Sequence, residues 1–473
     1  MLAAMPPPPT PTTPQQGEPA TQPPAPGTTR DAPPEAHPLT RDRSDACPGA
    51  LRLHSADDGR LARLRLPGGI LTNRQVEALA VAAERYGDGH LTITSRGNAE
   101  LRGIGESCGT GLAELLRHTH LLPSERHERI RNIVASPLAG LDGLGHGTLL
   151  PRLRALDALL CAEEWTAALS GRFLFALDDG RGDVAGLGAD VTLLAQAGDA
   201  PARDAQAGNA QAGNAQAGNA VVVRVGASTL KVAASDAPRA ALEAARAFLA
   251  TAAAAGTGAW RVRELPPGHT VDLATALAHA NIPADPTLVP PAPAPTPATT
   301  PTPGILAGPE GAYTVVVAPV LGRVSAAQLR ALAGPGGEVR VTPWRGFVVP
   351  GFDERGARER LRELGDAGFV TAPDAPWAGV GACTGRPGCA KALADVRRDA
   401  LPGTGGLPVH WSGCERRCGR PHGDWVDVTA TADGVYTVAV RGARERQVPL
   451  EEGELTQAVA AARRAPHGPP RTT

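Results

Sequence analysis

The segments GACTGRPGC (381–389) and VHWSGCERRCGRPH (409–422) contain four cysteines in the spacing C-x5-C-x24-C-x3-C: Cys383, Cys389, Cys414 and Cys418. Four of the seven cysteines of the chain thus fall within 36 positions. Thiolates held together in this way are typical ligands of a soft metal centre, either an iron–sulfur cluster or zinc. These four residues are therefore the predicted metal ligands.

The spacing favours a [4Fe–4S] cluster over zinc. Zinc ribbons and fingers use C-x2–4-C knuckles, because a short loop places two sulfurs on one edge of a tetrahedron. Here five residues, glycine and proline among them, separate the first pair, so the loop can curl around something wider than one ion. Cys414 and Cys418 are four apart and share one face if their segment is helical, before Gly419 and Pro421 end it. A zinc-stapled binding module without redox activity stays an alternative.

Length and composition indicate a globular protein with several domains. The 473 residues are enough for two to four domains, and an apolar content of 42% supports real cores. The net charge of −1 implies no general attraction to nucleic acid or to a membrane surface. Cys47, Cys108 and Cys161 are isolated and are interpreted as structural. Few, clustered cysteines and an N-terminus without a signal-peptide pattern predict a cytoplasmic protein.

Two segments repeat the same small α+β pattern, at 47–120 and 309–372. Each contains a strand and then a turn that opens a helix, with LTNRQ at 71–75 in the first copy and VSAAQ at 324–328 in the second. Each continues with two strands, separated by TSRG at 94–97 or by TPWRG at 342–346. Thr72 is the predicted N-cap of the first helix, and Ser325 opens the second. An internal duplication of a half-domain accounts for these matches.

The rest of the chain divides around these copies. Residues 1–46 are rich in Pro, Thr and Gln and predict a disordered tail, and 466–473 form a second tail. Residues 121–281 predict an α/β domain that carries three AQAGN repeats at 205–219 as a solvent-facing insertion. A Pro-rich linker at 282–308 leads to the second copy, and a cysteine-bearing α/β domain at 373–465 follows that copy.

Arginines near strand ends are the second chemical signal. Arg63 and Arg65 lie two apart on one strand and project from one face. Four more arginines stand at or beside predicted strand ends: Arg96, Arg131, Arg172 and Arg345. A guanidinium group keeps its charge and binds carboxylates in a bidentate manner. A pocket that collects several of them therefore predicts a polyanionic ligand.

These motifs together resemble the sulfite and nitrite reductase superfamily. The likeness covers about residues 47–465 and rests on LRLPGG at 64–69 with LTNRQ, on the Thr-x-Arg-x-Asn pattern ending at Asn98, on IRNIV at 130–134 and on the cysteine spacing. It implies an α+β fold with an internally duplicated architecture, in which two ferredoxin-like half-domains pair and two α/β domains are added. It also implies siroheme bridged to a [4Fe–4S] cluster through the last cysteine pair. The residues expected to bind a tetrapyrrole are Arg63, Arg65, Arg96, Asn98, Arg131, Arg172 and Arg345.

Within the superfamily the chain most resembles the precorrin-3B synthase family of aerobic cobalamin biosynthesis, on ACPG at 46–49, TPWR at 342–345 and VHWSGC at 409–414. Members of that family are monooxygenases that hydroxylate precorrin-3A, and an acetate side chain closes a γ-lactone. The reductases grip sulfite or nitrite with a Lys-x-Lys pair. The corresponding stretch here is Arg172-Phe-Leu174, so the second cation is missing. The expected function is therefore that of the monooxygenase, with a siroheme-dependent sulfite or nitrite reductase as the alternative.

The same resemblance implies cofactors and partners besides the cluster. A mononuclear non-haem iron is expected, and the candidate ligands are His54, His146, His410 and His422. The expected substrates are precorrin-3A and O2. Because no G-x-G-x-x-G fingerprint follows a predicted strand, electrons are expected from a separate NAD(P)H-linked reductase or from a ferredoxin.

Overall fold

The computed structural model describes Asp45 and residues 47–146, 149–196, 220–287, 300–403, 405–421, 423–441, 448–449 and 454–464. All of them belong to one unit, Leu39–Thr473. Three predicted segments lie outside the described residues: the tail at 1–46 apart from Asp45, the AQAGN insertion at 205–219 and the tail at 466–473.

The first half-domain consists of a hairpin, a helix, a second strand pair and a second helix. Its elements are β1 (His54–Ala56), β2 (Gly59–Leu64), β3 (Ile70–Thr72), α1 (Asn73–Tyr86), β4 (His90–Ile93), β5 (Ala99–Ile104) and α2 (Gly109–His118). Helix α1 begins with a capping box: the Thr72 hydroxyl accepts the Gln75 N–H, and the Gln75 side chain accepts the Thr72 N–H. Its buried face includes Val76 and Leu79, as the periodicity predicts.

The first α/β domain follows. Its elements are β6 (Ile133–Ala135), α3 (Leu150–Ala162), β7 (Phe175–Asp178), β8 (Val191–Ala195), β9 (Ala220–Val225), β10 (Ser228–Ala233), α4 (Ala237–Ala254), α5 (Leu273–His279) and β11 (Ala284–Pro286). The sheet order is β11-β10-β9-β8-β7-β6, and α3 and α4 pack together on it. Arg172 precedes β7 by three residues, since the strand begins at Phe175 and the Leu174 N–H is donated to the Asp190 carboxylate.

The second half-domain repeats the first. Its elements are β12 (Gly304–Ala307), β13 (Tyr313–Pro319), β14 (Arg323–Ser325), α6 (Ala326–Ala331), β15 (Glu338–Val341), β16 (Phe347–Phe352), α7 (Glu354–Asp366) and β17 (Phe369–Val370). Helix α6 begins with the same capping box, between Ser325 and Gln328. Strands β11 and β12 lie within the predicted linker 282–308. They pair with β10 and β13, so the segment free of strands is shorter than the composition indicates.

The two half-domains exchange strands. Strand β14 of the second copy pairs with β4 of the first, and β3 of the first copy pairs with β15 of the second. Two sheets result, β1-β2-β5-β4-β14 and β12-β13-β16-β15-β3. Between them α1 packs on α6, and one hydrophobic core contains residues of both copies, such as Leu79 and Leu329. This confirms the predicted α+β class and the pairing of two ferredoxin-like half-domains.

The capping boxes give a test of the duplication. Thr72→Ala is expected to lower the free energy of unfolding by about 1 kcal/mol, because the Gln75 N–H loses its partner. Ser325→Ala is expected to cost about as much, since it removes the equivalent bond to the Gln328 N–H. Denaturant unfolding with Thr72→Ser as the control measures both effects. A smaller loss than that of the control would contradict the assignment.

The cysteine-bearing domain comes last. Its elements are β18 (Val380–Ala382), α8 (Val396–Asp399), β19 (Val409–Ser412), β20 (Trp425–Ala432), β21 (Val435–Arg441), β22 (Val448–Pro449) and α9 (Leu455–Arg463). Strands β18, β19 and β20 are parallel, and β21 and β22 complete the sheet as antiparallel strands. The rings of Trp411 and Tyr436 pack edge to face in the core of this domain, with their centroids 5.2 Å apart. Among the described helices, none has the length and apolar character needed to cross a bilayer.

Candidate functional site

The two cysteine pairs leave neighbouring strands at the same edge of the sheet. Cys383 directly follows β18, and Cys414 comes two residues after β19 ends. Because β18 and β19 are parallel, their carboxyl ends meet at one edge. The loops touch there: the Gly413 N–H is donated to the Cys383 Sγ at 3.2 Å, and a Cβ added to Gly413 would lie 2.7 Å from that of Ala392. Glycine at 413 therefore permits the close approach of the two loops.

The four thiols lie near enough to influence one another's ionisation. Burial raises the pKa of Cys383, the Gly413 N–H opposes this, and the sulfurs of Cys418 and Cys414 raise it further. Burial also raises the pKa of Cys418, and the sulfurs of Cys414 and Cys389 add to that effect. Cys418 is exposed and the other three are half-buried. Four thiolates so placed repel each other, and a bound metal centre removes that repulsion.

The arrangement of the sulfurs suits a cluster better than a single ion. In a tetrahedral zinc site, with Zn–S bonds of about 2.3 Å, the sulfurs lie about 3.8 Å apart. In the described part of the chain, which includes all four cysteines, no three of these sulfurs lie within 4.8 Å of one another. A [4Fe–4S] cluster binds each thiolate on a different iron and so holds the sulfurs farther apart. The four thiols are the donor set that such a cluster requires, and no three of them are gathered as closely as a single tetrahedral ion needs.

The segment that joins Cys414 to Cys418 is not helical. It forms two turns, and Arg417 has a positive φ of 48°. The Arg417 side chain holds the turns by donating from Nε to Asp427 Oδ2 at 2.5 Å and from Nη1 to the Glu415 carbonyl at 3.0 Å. The shared helical face expected from the spacing is thus wrong, since this ion pair with the adjacent strand β20 replaces helical hydrogen bonds.

A row of polar side chains crosses the first sheet. On β2, β5, β4 and β14 the directly opposed residues are Arg63, Glu100, Thr92 and Arg323. Directly opposed residues point to the same face of a sheet. Arg63 donates to Glu100 at 2.7 Å. The sequence singles out only Arg63 of this row, because cross-strand register is not visible in a linear pattern.

Arg397 joins this face of the sheet to the cysteine loops. From helix α8 it donates to the Cys383 carbonyl at 3.1 Å and to the Thr92 hydroxyl at 3.3 Å. Burial lowers the pKa of Arg397 to about 10, and the charge of Arg323 acts in the same direction. The surface between the sheet and the loops therefore carries an excess of positive charge, which suits an anionic ligand.

Arg345 also reaches the cysteine domain. It occupies the turn before β16 with φ of 62°, and donates to the Ile93 carbonyl at 3.2 Å and to the Gly419 carbonyl at 2.5 Å. A Cβ on Gly322 or Gly419 would lie within 2.6 Å of its side chain, so glycines form the channel that admits it. Burial lowers the pKa of Arg345.

Arg65 and Arg63 meet around a thiol that the sequence analysis assigns a structural role. Arg65 is buried and donates to the Cys47 Sγ at 3.1 Å and to the Gly171 carbonyl at 3.0 Å. Arg63 approaches the same sulfur at 3.7 Å. Cys47 precedes the first strand by several residues, so no periodic signal could place it there. Its neighbours show that it lies among the predicted binding residues.

Arg96 and Arg172 adjoin each other. Arg96 Nη1 donates to the Arg172 carbonyl at 3.2 Å, and the Arg172 guanidinium lies over the Trp260 ring, 4.7 Å from its centroid. Burial lowers the pKa of Arg96 to about 10, and the charges of Arg261 and Arg65 lower it too. The structure thus brings Arg63, Arg65, Arg96 and Arg172 into one region.

Arg131 and Asn98 have structural partners. Both oxygens of Asp157 accept from Arg131 at 2.7 Å, which neutralises its charge. Asn98 is buried, accepts the Leu66 N–H at 3.0 Å and donates to Asn132 Oδ1 at 2.9 Å. The Asn98–Asn132 contact joins the first half-domain to the α/β domain, whereas the Arg131–Asp157 pair lies within the α/β domain.

The predicted iron ligands are dispersed. His54 is exposed on β1, His146 follows a turn near Asp179, and His422 lies outside the described residues. His410 is fully buried on β19, where Nε2 lies 3.0 Å from the Cys418 carbonyl oxygen. Burial, helped by the Arg345 charge, lowers the pKa of His410 to about 3. Within the described residues none of these histidines belongs to a group of three potential ligand atoms within 4.8 Å.

Comparison with known proteins agrees with this architecture. The family model described as the nitrite/sulfite reductase ferredoxin-like half domain matches twice, at residues 54–116 and 307–367. The two matches coincide with the two copies that exchange strands. The chain therefore contains two half-domains of the ferredoxin-like type found in nitrite and sulfite reductases.

The individual relatives differ in how much of the chain they match. A precorrin-3B synthase from Sinorhizobium sp is 28% identical over 434 residues, 86% of this chain and 86% of that protein. A ferredoxin–nitrite reductase from Synechococcus elongatus is 35% identical over 127 residues, 26% of this chain and 25% of that protein. The solved structure of the NirA protein of Mycobacterium tuberculosis has a TM-score of 0.58 at 18% identity, covering 84% of this chain and 79% of that one. That last likeness shows the fold.

Proposed function

We propose that this chain acts as a precorrin-3B synthase, an O2-dependent monooxygenase that hydroxylates precorrin-3A with γ-lactone formation in aerobic cobalamin biosynthesis. The support from comparison is the likeness to a protein of that name along 86% of both chains, whereas the nitrite reductase quoted above matches over a quarter. Electrons come from a separate NAD(P)H-linked reductase or a ferredoxin, and the protein works in the cytoplasm.

The burial of Leu174 is the observation that favours the monooxygenase over a sulfite or nitrite reductase. This residue stands where the reductases are expected to present the second lysine of their Lys-x-Lys pair. It is 3% exposed and packs with Val134, Ala176 and Val184. An apolar side chain turned into the core offers no charge to a small oxyanion. A large ligand held by its carboxylates at other arginines does not need that charge.

The residues have distinct roles in this proposal. Cys383, Cys389, Cys414 and Cys418 hold a [4Fe–4S] cluster, which when bound supplies electrons for the activation of O2 at iron. Arg96 and Arg397 bind carboxylates of the tetrapyrrole, because charge-assisted hydrogen bonds to a carboxylate are stronger than those they make to backbone carbonyls. A precorrin, like siroheme, is a tetrapyrrole fringed with carboxylates, so one arginine surface suits either as ligand.

Turnover of precorrin-3A tests the proposal. The anaerobically purified protein is mixed with precorrin-3A, a reductant and O2, and the product is analysed by mass spectrometry. We expect a hydroxylated lactone whose added oxygen atom comes from 18O-labelled O2. Formation of ammonia from nitrite or sulfide from sulfite, together with the Soret and red absorption bands of siroheme, would instead establish the reductase. Zinc without iron or labile sulfide would establish a binding module.

A further inference from the structure

Two carboxylates of the first half-domain lie against the first cysteine loop. The turn between β1 and β2 carries Asp57 and Asp58, and Gly59 follows with φ of 114°. Asp57 Oδ2 accepts the Ala390 N–H, next to Cys389. Asp58 also lies against the loop, because a Cβ added to Gly388 would lie 2.5 Å from Asp58 Oδ2. The loop and the turn thus fit together only with glycine at 388.

Arg102 fastens this contact. It is buried on β5 and donates to both oxygens of Asp58, from Nε at 2.8 Å and from Nη2 at 2.9 Å. Nη2 also donates to the Gly388 carbonyl at 2.5 Å, and Nη1 to Glu100 Oε1 at 3.2 Å. One planar guanidinium therefore binds a carboxylate and a loop carbonyl together, which an ammonium group cannot do in the same geometry.

Arg102 keeps its positive charge although it is buried. Burial alone would lower its pKa, but the hydrogen bonds and charges of Asp58 and Glu100 outweigh that effect and raise the pKa. Glu100 is also the partner of Arg63, at 2.7 Å. The contact with the cysteine loop is therefore continuous with the row of polar side chains that crosses the first sheet.

We propose that Asp58 and Arg102 are positioning residues for the metal centre: the first half-domain holds the Cys383–Cys389 loop in the shape that presents both thiolates to the cluster. The inference rests on the cysteine ligands named under the proposed function. A loop with glycine at 385 and 388 has many conformations in isolation. Contacts made by another domain restrict those conformations before the cluster binds, so they slow its loss.

Two substitutions test this role. Asp58→Asn removes the negative charge of the Asp58–Arg102 ion pair. Arg102→Lys keeps the positive charge but loses the planar guanidinium that donates to Asp58 and to the Gly388 carbonyl together. Iron and labile sulfide are measured after anaerobic reconstitution, and cluster loss to a chelator is followed by absorbance. We expect both variants to release the cluster at least about tenfold faster than the wild-type chain, equivalent to about 1.4 kcal/mol. The oxidised variants are also expected to show a three-iron signal by EPR, since the Cys389 end of the loop is no longer held.

The matched control is Glu84→Gln. It breaks the ion pair of Glu84 on α1 with Arg330 on α6, 2.7 Å long, which joins the helices of the two half-domains. Its cluster is expected to be as stable as that of the wild type. Thermal unfolding of the metal-free proteins separates folding from loop position. Should Asp58→Asn fail to fold, Gly388→Ala displaces the loop while keeping both charged residues, because its Cβ would meet the Asp58 carboxylate.

The outcomes separate the two hypotheses. If the wild-type chain takes up no cluster, the ligand assignment fails. If the wild type is loaded and Asp58→Asn, Arg102→Lys and Gly388→Ala release iron at its rate, the positioning role is refuted while the ligands stand. Equal cluster loss in Glu84→Gln would also overturn the role, because the effect would then be a general loss of stability.

Discussion

Cys414→Ser is expected to yield a folded protein that holds no [4Fe–4S] cluster. A serine hydroxyl stays protonated at neutral pH and is a hard, weak ligand for iron, whereas a thiolate is soft and anionic. Cys414 is half-buried in a turn that Arg417 and Asp427 stabilise independently of any metal, so the replacement of one atom leaves the loop intact. Iron and labile sulfide in the anaerobically reconstituted variant are expected to fall to the background of metal-free protein.

Cys108→Ser is the control for this substitution. Cys108 lies directly before α2 and packs against the core of the half-domains, whereas Cys383 packs against the core of the cysteine-bearing domain. The control is expected to keep a full complement of iron and sulfide and the visible absorption of the cluster. A full complement in Cys414→Ser as well would refute Cys414 as a ligand, and circular dichroism of both variants shows whether either has unfolded.

Local patterns in the sequence predict much of this fold because the information is local. Strand alternation and the capping residues Thr72 and Ser325 place the helices and strands of both half-domains, and the structure confirms both capping boxes. A capping box involves residues three apart, so four consecutive positions specify it. The duplicated pattern likewise predicts two similar units, which the two matches of the half-domain model bear out.

The pairing register between strands that are distant along the chain is the part of the fold that could not be predicted from the sequence. Arg63, Thr92 and Arg323 share one sheet face only because β14 of the second copy pairs with β4 of the first. Their separation along the chain exceeds any periodic window, and a shift of one residue would turn each side chain to the opposite face. Arg102 is missed for the same reason, since its partner Gly388 lies 286 positions away.

Ion pairs decide which predicted arginines are available to a ligand. Every arginine of the predicted set has the same chemistry in the sequence, yet Arg131 is paired with Asp157 and Arg63 with Glu100, whereas Arg96 donates to the Arg172 carbonyl. That difference depends on which acidic residue the fold places opposite each guanidinium. Composition and spacing give no information on it, so sequence reasoning treats the arginines as equivalent and the structure ranks them.

Arg96→Ala is expected to weaken tetrapyrrole binding without destabilising the metal-free protein. Among the described residues its guanidinium donates to the Arg172 carbonyl, and the nearby Asp190 is already paired with Arg261. Burial and the positive neighbours lower the pKa of Arg96 to about 10, below its value in the unfolded chain. At neutral pH both states carry the charge, so folding pays for its burial and the alanine variant avoids that cost.

A bound carboxylate of the ligand turns the unfavourable burial of the Arg96 charge into a favourable interaction. It supplies the opposite charge that Arg96 lacks, and a hydrogen bond to a charged partner contributes about 1.5–3 kcal/mol. Loss of that contact is expected to raise the dissociation constant about 10- to 100-fold. Titration of the metal-free protein with uroporphyrin, followed by quenching of its fluorescence, measures the change for a carboxylate-fringed macrocycle, and precorrin-3A under anaerobic conditions measures it for the proposed substrate.

Arg74→Ala is the matched control, because Arg74 is also an arginine bound to a backbone carbonyl, that of His118, but on the exposed side of α1. Its dissociation constant is expected to equal that of the wild type. Unchanged affinity in Arg96→Ala would remove Arg96 from the binding surface. A fall in thermal stability equal to the loss of binding would assign it a structural role, because a ligand-binding arginine held among positive charges has no reason to stabilise the empty protein.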